Sequence, residues 1–144
     1  MKNQMIDFTM FQIDNVAEQN QKEKFINYFY IMNFWMKALE EGKDVSSFFK
    51  RNGYSNTAIY GLGELGKHLI VQLEKSSFPV VYTIQRDVIN YNGTDFDLIR
   101  DINSVPKADA IVVTPLMEYT SIKEKLEKLT NSSIISLEEV ILRL

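Results

Sequence analysis

The stretch Thr57-Ala58-Ile59-Tyr60-Gly61-Leu62-Gly63-Glu64-Leu65-Gly66-Lys67-His68-Leu69 constrains this chain more than any other. A short apolar run ends in G-x-G-x-x-G and passes directly into a helical pattern, giving a strand, a glycine turn and a helix start. Such a turn presents bare backbone amides at a helix N-terminus, where an anion is favoured. Gly61 allows the tight turn out of the strand, Gly63 lets the backbone approach a phosphate, and Gly66 lets the helix pack closely on the strand. The alternative is a turn with a purely structural role.

From Thr57 onward, strand and helix patterns alternate. A strand is expected at Ala58–Tyr60, a helix at Glu64–Lys75 and a Val- and Tyr-rich strand at Pro79–Ile84. This is one βαβ unit, and its strands are expected to be parallel. After the turn-rich passage Tyr91-Asn92-Gly93-Thr94-Asp95, a weak strand is expected over Phe96–Ile99. Ala110-Ile111-Val112-Val113-Thr114, ended by Pro115, has the continuous apolarity of a strand buried on both faces and should lie beside the first. Ser121 with Glu124 forms a capping box, opening a helix that buries Ile122, Leu126 and Leu129. Ser133–Ser136 makes a last strand, and Ser136 with Glu139 forms a second capping box for a terminal helix, Leu137–Leu144. The expected fold is α/β: a doubly wound parallel sheet of about five strands preceded by an N-terminal helical segment.

The division falls near Gly53-Tyr54-Ser55-Asn56, giving a helical segment at 1–53 and the α/β domain at 54–144. In the first, Phe25, Phe29, Met32, Met36 and Leu39 recur at helical spacing. A second stripe runs through Tyr28, Ile31, Trp35 and Ala38. One helix with two apolar faces needs cover on both, and a small sheet covers only one. The other face is expected to meet a second subunit, making a homodimer. Trp35 reads as a core or interface anchor. The helix should stop at Glu41-Gly42, and Asp44 or Ser46 should cap a short helix through Val45, Phe48 and Phe49, closed by Gly53. Roughly the first 20 residues, polar and weakly patterned, are expected to be loose or a short helix.

Composition excludes several functions. At 144 residues the chain suits one domain and is too short for a two-domain oxidoreductase. Its net charge of -3 leaves no basic surplus for nucleic acid. With no cysteine and one histidine, thiolate chemistry and a His-rich metal site are both excluded. The N-terminus lacks a signal-type apolar core, and Phe25–Leu39 is too short and too interrupted to cross a membrane. A cytoplasmic location is expected.

The strand-glycine-helix run at Gly61–Gly66, together with Ala108-Asp109-Ala110-Ile111-Val112-Val113-Thr114, resembles a small NAD(P)-binding Rossmann-like domain over roughly Tyr54–Leu144. It is similar to the nucleotide-binding modules found alone or fused to sugar-modifying enzymes in bacterial surface-polysaccharide pathways, such as the N-terminal domains of sugar acyltransferases. The resemblance implies NAD(P), another nucleotide or a nucleotide-sugar at the strand carboxyl ends. The ligand would contact Gly61, Gly63, Glu64, Leu65, Gly66, Gln85, Arg86, Thr114 and Pro115. Gln85 stands where such a domain places a ribose-binding acid, and Asp87 takes that role only if the strand ends later. Glu64 suits the helix dipole but repels a pyrophosphate if it points inward.

Tyr119-x-x-x-Lys123 resembles the tyrosine-lysine pair of short-chain dehydrogenases, but outside that family's structural context it reads as coincidence. His68 reads as a surface or packing residue, and Lys123, Lys125 and Lys128 as a solvated helix face. The expected function is a nucleotide-binding module with no catalytic machinery. The alternative is an interaction or scaffold protein that has lost its ligand, and a small enzyme using Tyr119, Lys123 or His68 is a third reading.

Overall fold

A computed structural model describes residues 2–144, with side chains described from residue 16. Its elements are α1 (Lys2–Glu40), α2 (Ser46–Arg51), β1 (Thr57–Tyr60), α3 (Glu64–Lys75), β2 (Val80–Gln85), β3 (Val88–Tyr91), β4 (Thr94–Asp97), α4 (Leu98–Asp101), β5 (Ala110–Val113), α5 (Tyr119–Glu127), β6 (Ser133–Ser136) and α6 (Leu137–Leu142). The chain is α/β, with one six-stranded sheet in the order β4-β3-β2-β1-β5-β6. β2, β1, β5 and β6 run parallel, while β3 and β4 add antiparallel at one side. The expected all-parallel sheet is thereby corrected to a mixed one.

The correction originates at Asn92-Gly93. Both residues have positive φ, 52° and 77°, the combination that closes a two-residue hairpin with the twist its strands require. The register Tyr91↔Thr94, Asn90↔Asp95 follows from that turn. The weak strand expected at Phe96–Ile99 therefore lies earlier, at Thr94–Asp97. Leu98 instead opens a single helical turn, because the Asp97 carboxylate accepts the Ile99 amide at 2.9 Å.

Successive residues of a strand face opposite sides of a sheet, and β5 feeds two cores in this way. Ala110 and Val112 join Ile59, Leu69, Leu73, Phe49, Trp35 and Leu137, so α1, α2, α3 and α6 cover that face. Ile111 and Val113 join Ala58, Ile84, Leu98, Ile122 and Leu126, so α4 and α5 cover the other. Ile31, Trp35 and Phe48 share the first core with sheet residues, so segments 1–53 and 54–144 are packed together.

α1 runs back to Lys2 as one helix, longer than the loose or short segment expected at its start. The side chains of residues 1–15, on which that expectation rested, lie outside the described residues. Of the two stripes, Ile31, Trp35 and Ala38 are buried, whereas Phe25, Phe29 and Met36 are exposed. Among the described residues, no helix is long and apolar enough to cross a membrane.

Gly42 and Gly53 both have φ of 77°, as expected of residues closing α1 and α2. Asp44 caps α2 by accepting the Ser46 amide at 2.9 Å, whereas the Ser46 hydroxyl is buried without a partner and caps nothing. Ser76, at the end of α3, donates to the same Asp44 oxygen at 2.5 Å. The Ser76 hydrogen bond holds the Asp44 carboxyl below its ordinary value of 3.8, with partial burial opposing it and the Ser46 amide assisting. A depressed folded-state value stabilises the protein above pH 3.8, and that contribution is lost as pH falls through the folded value. Urea midpoints measured from neutral pH down to pH 3 should therefore decline less steeply in Ser76→Ala than in the parent.

Two caps at the far end differ. Ser136 caps α6 as expected, its hydroxyl oxygen accepting the Glu139 amide at 3.1 Å, and α6 ends at Leu142 rather than Leu144. The box expected at Ser121 does not form. α5 begins earlier, at Tyr119, and the Ser121 hydroxyl donates to the Glu118 carbonyl at 3.0 Å.

Candidate functional site

The loops after β1 and β5 leave adjacent parallel strands and part. One leads into α3 on the first face, the other through Pro115 into α5 on the second. In open α/β sheets, ligands bind in the crevice opened by such a divergence at the strand carboxyl ends. Here it holds a cavity of about 470 Å³ lined by Gly61, Gly63, Glu64, Leu65, His68, Thr114 and Pro115. Three residues of α1, Phe25, Tyr28 and Met32, close its remaining wall. The volume lies in the range of small-molecule sites.

Each glycine of the turn has a different environment. Gly61 has φ of 98°, and a Cβ there would meet the Thr114 hydroxyl at 2.5 Å and Pro115 Cδ at 2.8 Å. A Cβ on Gly66 would fall on the carbonyl oxygen of Gly61. Both positions are therefore fixed by the fold. Gly63 has ordinary negative φ, and a Cβ there would meet nothing within 4 Å. It is the N-cap of α3, and no side chain caps that helix. The amides of the first turn of α3 thus start beside open space.

Thr114 holds the crevice together. Its hydroxyl, almost fully buried, donates to the Tyr60 and Gly61 carbonyls at 3.0 and 2.9 Å, tying the end of β5 to the turn after β1. With its proton engaged there, Thr114 can offer a ligand only an acceptor. Leu65 is buried at the cavity floor, while Glu64 is exposed on the cavity wall.

Of the residues expected at the site, Gly61, Gly63, Glu64, Leu65, Thr114 and Pro115 converge on the cavity, with Gly66 directly beneath. Gln85 and Arg86 do not line it: Gln85 ends β2, and Arg86 occupies the turn to β3 with φ of 51°. Tyr60 is the last residue of β1. Burial and the Glu118 carboxylate push that phenol up, and the Arg86 guanidinium pulls it back. Phe25, Tyr28 and Met32 stand far before the loop in sequence, and their spacing announces only an apolar stripe, so no local signal marks them as site residues.

Tyr119 is not arranged as a proton donor. Its hydroxyl donates to the Ile134 carbonyl at 3.1 Å, and burial raises its pKa above the ordinary value of 10.0 against the lowering effect of Lys123. His68 packs edge-to-face against Trp35, with ring centroids 6.4 Å apart, and also borders the cavity. Among the described residues, no group of three or more His, Cys, Asp or Glu could hold a metal ion.

A second cavity, of about 430 Å³, lies at the opposite end of the sheet, between Tyr82, Lys107, Lys128 and Asn131. Burial alone pushes the Tyr82 phenol up to about 12, so it is a neutral hydroxyl at physiological pH. The strand carboxyl ends, where ligands of open α/β sheets are held, belong to the first cavity. The chain matches no protein-family model, no curated protein and no solved structure.

Proposed function

We propose that this chain is a Rossmann-like nucleotide-binding module that takes NAD(P) or a nucleotide-sugar at the glycine turn and carries out no chemistry of its own. The observation that carries the reading is Gly63. Gly61 and Gly66 are explained by backbone conformation and packing, whereas at Gly63 the chain leaves open space above uncapped helix amides. A ligand phosphate approaching the backbone explains that space. The Glu64 carboxylate on the wall accepts hydroxyl groups and repels additional negative charge, which favours the sugar or ribose end of a ligand beside it. Phe25, Tyr28 and Met32 offer an apolar and aromatic surface to a base.

With the resemblance noted above, this reading extends to a role in bacterial surface-polysaccharide synthesis, in the cytoplasm, as a homodimer through α1. A second reading, an interaction protein that keeps the fold without a ligand, draws on Glu64, whose carboxylate competes for the same helix amides.

Calorimetric titration with NAD, NADP and a uridine-diphosphate sugar tests the proposal. At least one is expected to bind below millimolar, and Gly63→Val should weaken it by about tenfold or more, roughly 1.4 kcal/mol, while the melting temperature falls only by the few degrees that losing a favourable N-cap residue costs. Absence of binding by all three overturns the proposal and favours the interaction protein.

A further inference from the structure

We propose that a second copy of this chain seats on the aromatic face of α1 and that, in doing so, it covers the outer wall of the glycine-turn cavity. From Phe25 to Met36 the helix carries no charged residue. Its inner arc, Ile31, Trp35 and Ala38, is spent on the core. Its outer arc leaves Phe25 61%, Ile26 52%, Phe29 67%, Tyr30 55%, Phe34 48% and Met36 53% exposed. At about 200 Å² for a fully exposed aromatic residue, these six leave on the order of 650 Å² bare. Summed around the arc, with Asn33 the polar residue among them, that is of the order of the largest apolar patch on a typical monomer, roughly 300–600 Å², and approaches the roughly 800 Å² that each partner contributes to a standard interface.

The features of this face match themselves. An uncharged run obliges neither copy to bury a charge, which would cost several kcal/mol. Glu23 and Lys24 border it on one side, Lys37 and Glu40 on the other. Each end thus carries one anion and one cation, and an antiparallel two-fold pairing sets Glu23 of one copy towards Lys37 of the other. A lipid surface would want a cationic rim instead.

Phe25 links this face to the cavity. It belongs to the cavity wall, yet more than half of it is exposed, so the wall is bare on its outer side. A copy that covers Phe25 and Phe29 must cover that wall as well. The consequence concerns the cavity read above as the ligand site, but the association itself needs no ligand.

Two measurements on the full chain test the inference. In sedimentation velocity at micromolar concentration the parent should be a dimer. Phe29→Arg, at an exposed position outside the cavity, should weaken association by about 100-fold while leaving the circular dichroism spectrum unchanged. A chain without cysteine permits a direct probe of closure. Met32→Cys places one thiol in the cavity wall, and its alkylation by a maleimide should be about tenfold faster once Phe29→Arg is added. Tyr28→Cys repeats the probe should Met32→Cys fail to fold. A monomeric parent, a dimer indifferent to Phe29→Arg, or equal alkylation rates in both backgrounds overturns the inference. A protected thiol in a dimer that binds no nucleotide leaves it standing, and only the ligand reading falls.

Discussion

Phe49→Ala is expected to lower stability by about 4 kcal/mol, a large fraction of the 5–15 kcal/mol that holds a typical domain. Phe49 is fully buried, with its ring 5.4 Å from that of Phe48 and 5.0 Å from that of Phe78. It joins α2 to the loop before β2 in the core where α1 meets the sheet. Fully buried neighbours such as Leu73 and Val45 cannot all relax into the vacated volume, so a cavity term adds to the lost transfer energy. Urea denaturation should show the midpoint falling with the slope unchanged. A loss below about 1 kcal/mol would mean that α2 contributes little to this core, contrary to its packing.

Gly66→Ala should cost about 3 kcal/mol, the upper range for overpacking, although helix propensity alone favours alanine by about 1 kcal/mol. The added Cβ has no space, because its neighbour is the Gly61 carbonyl, a backbone group pinned by the Thr114 hydroxyl. Relief requires α3 to move off β1, which would disturb Leu65 and Leu69 beneath it. Gly63→Ala serves as the control, with stability expected to stay within about 0.5 kcal/mol of the parent. Equal effects at the two positions would show that space beside the turn is not what distinguishes them.

Local signals in the sequence were reliable where one residue type answers to one physical demand. α3 begins at Glu64 and ends at Lys75 as its glycine start and apolar spacing require, and Ser136 caps α6 through the Glu139 amide. At Asn92-Gly93 the hairpin signal was present, and Ile89, Tyr91 and Phe96 alternate with Asn90, Asp95 and Asp97, but each strand is only four residues long and mostly exposed, so the pattern is too short and too polar to stand out as two strands. Ser121 had the spacing of a capping box, but the chain was already turning helically at Leu116–Glu118 and the helix began before it. The cavity was half legible. Its glycines could be read from the βαβ pattern and Thr114 from the resemblance that adds the strand before Pro115, whereas Phe25, Tyr28 and Met32 reach it only through the packing of α1, which no local pattern encodes. The resemblance puts Gln85, with Arg86 next to it, where such a domain places its ribose-binding acid at the end of the second strand, but here β2 turns straight back into β3 and neither residue lines the cavity.

The mixed sheet has a consequence for the order of folding. On one side, β2, β3 and β4 are sequence neighbours joined by tight turns, so their pairing closes only short loops. On the other, the Thr57 hydroxyl meets the Ala110 carbonyl across a separation of 53 residues. Bringing β1 to β5 incurs the loop-closure entropy of that long intervening segment before the contacts can repay it. The β2-β3-β4 meander should therefore form early and the β1–β5 seam late. Since the glycine turn and Thr114 sit on that seam, the candidate site would be the last part of the molecule to take shape.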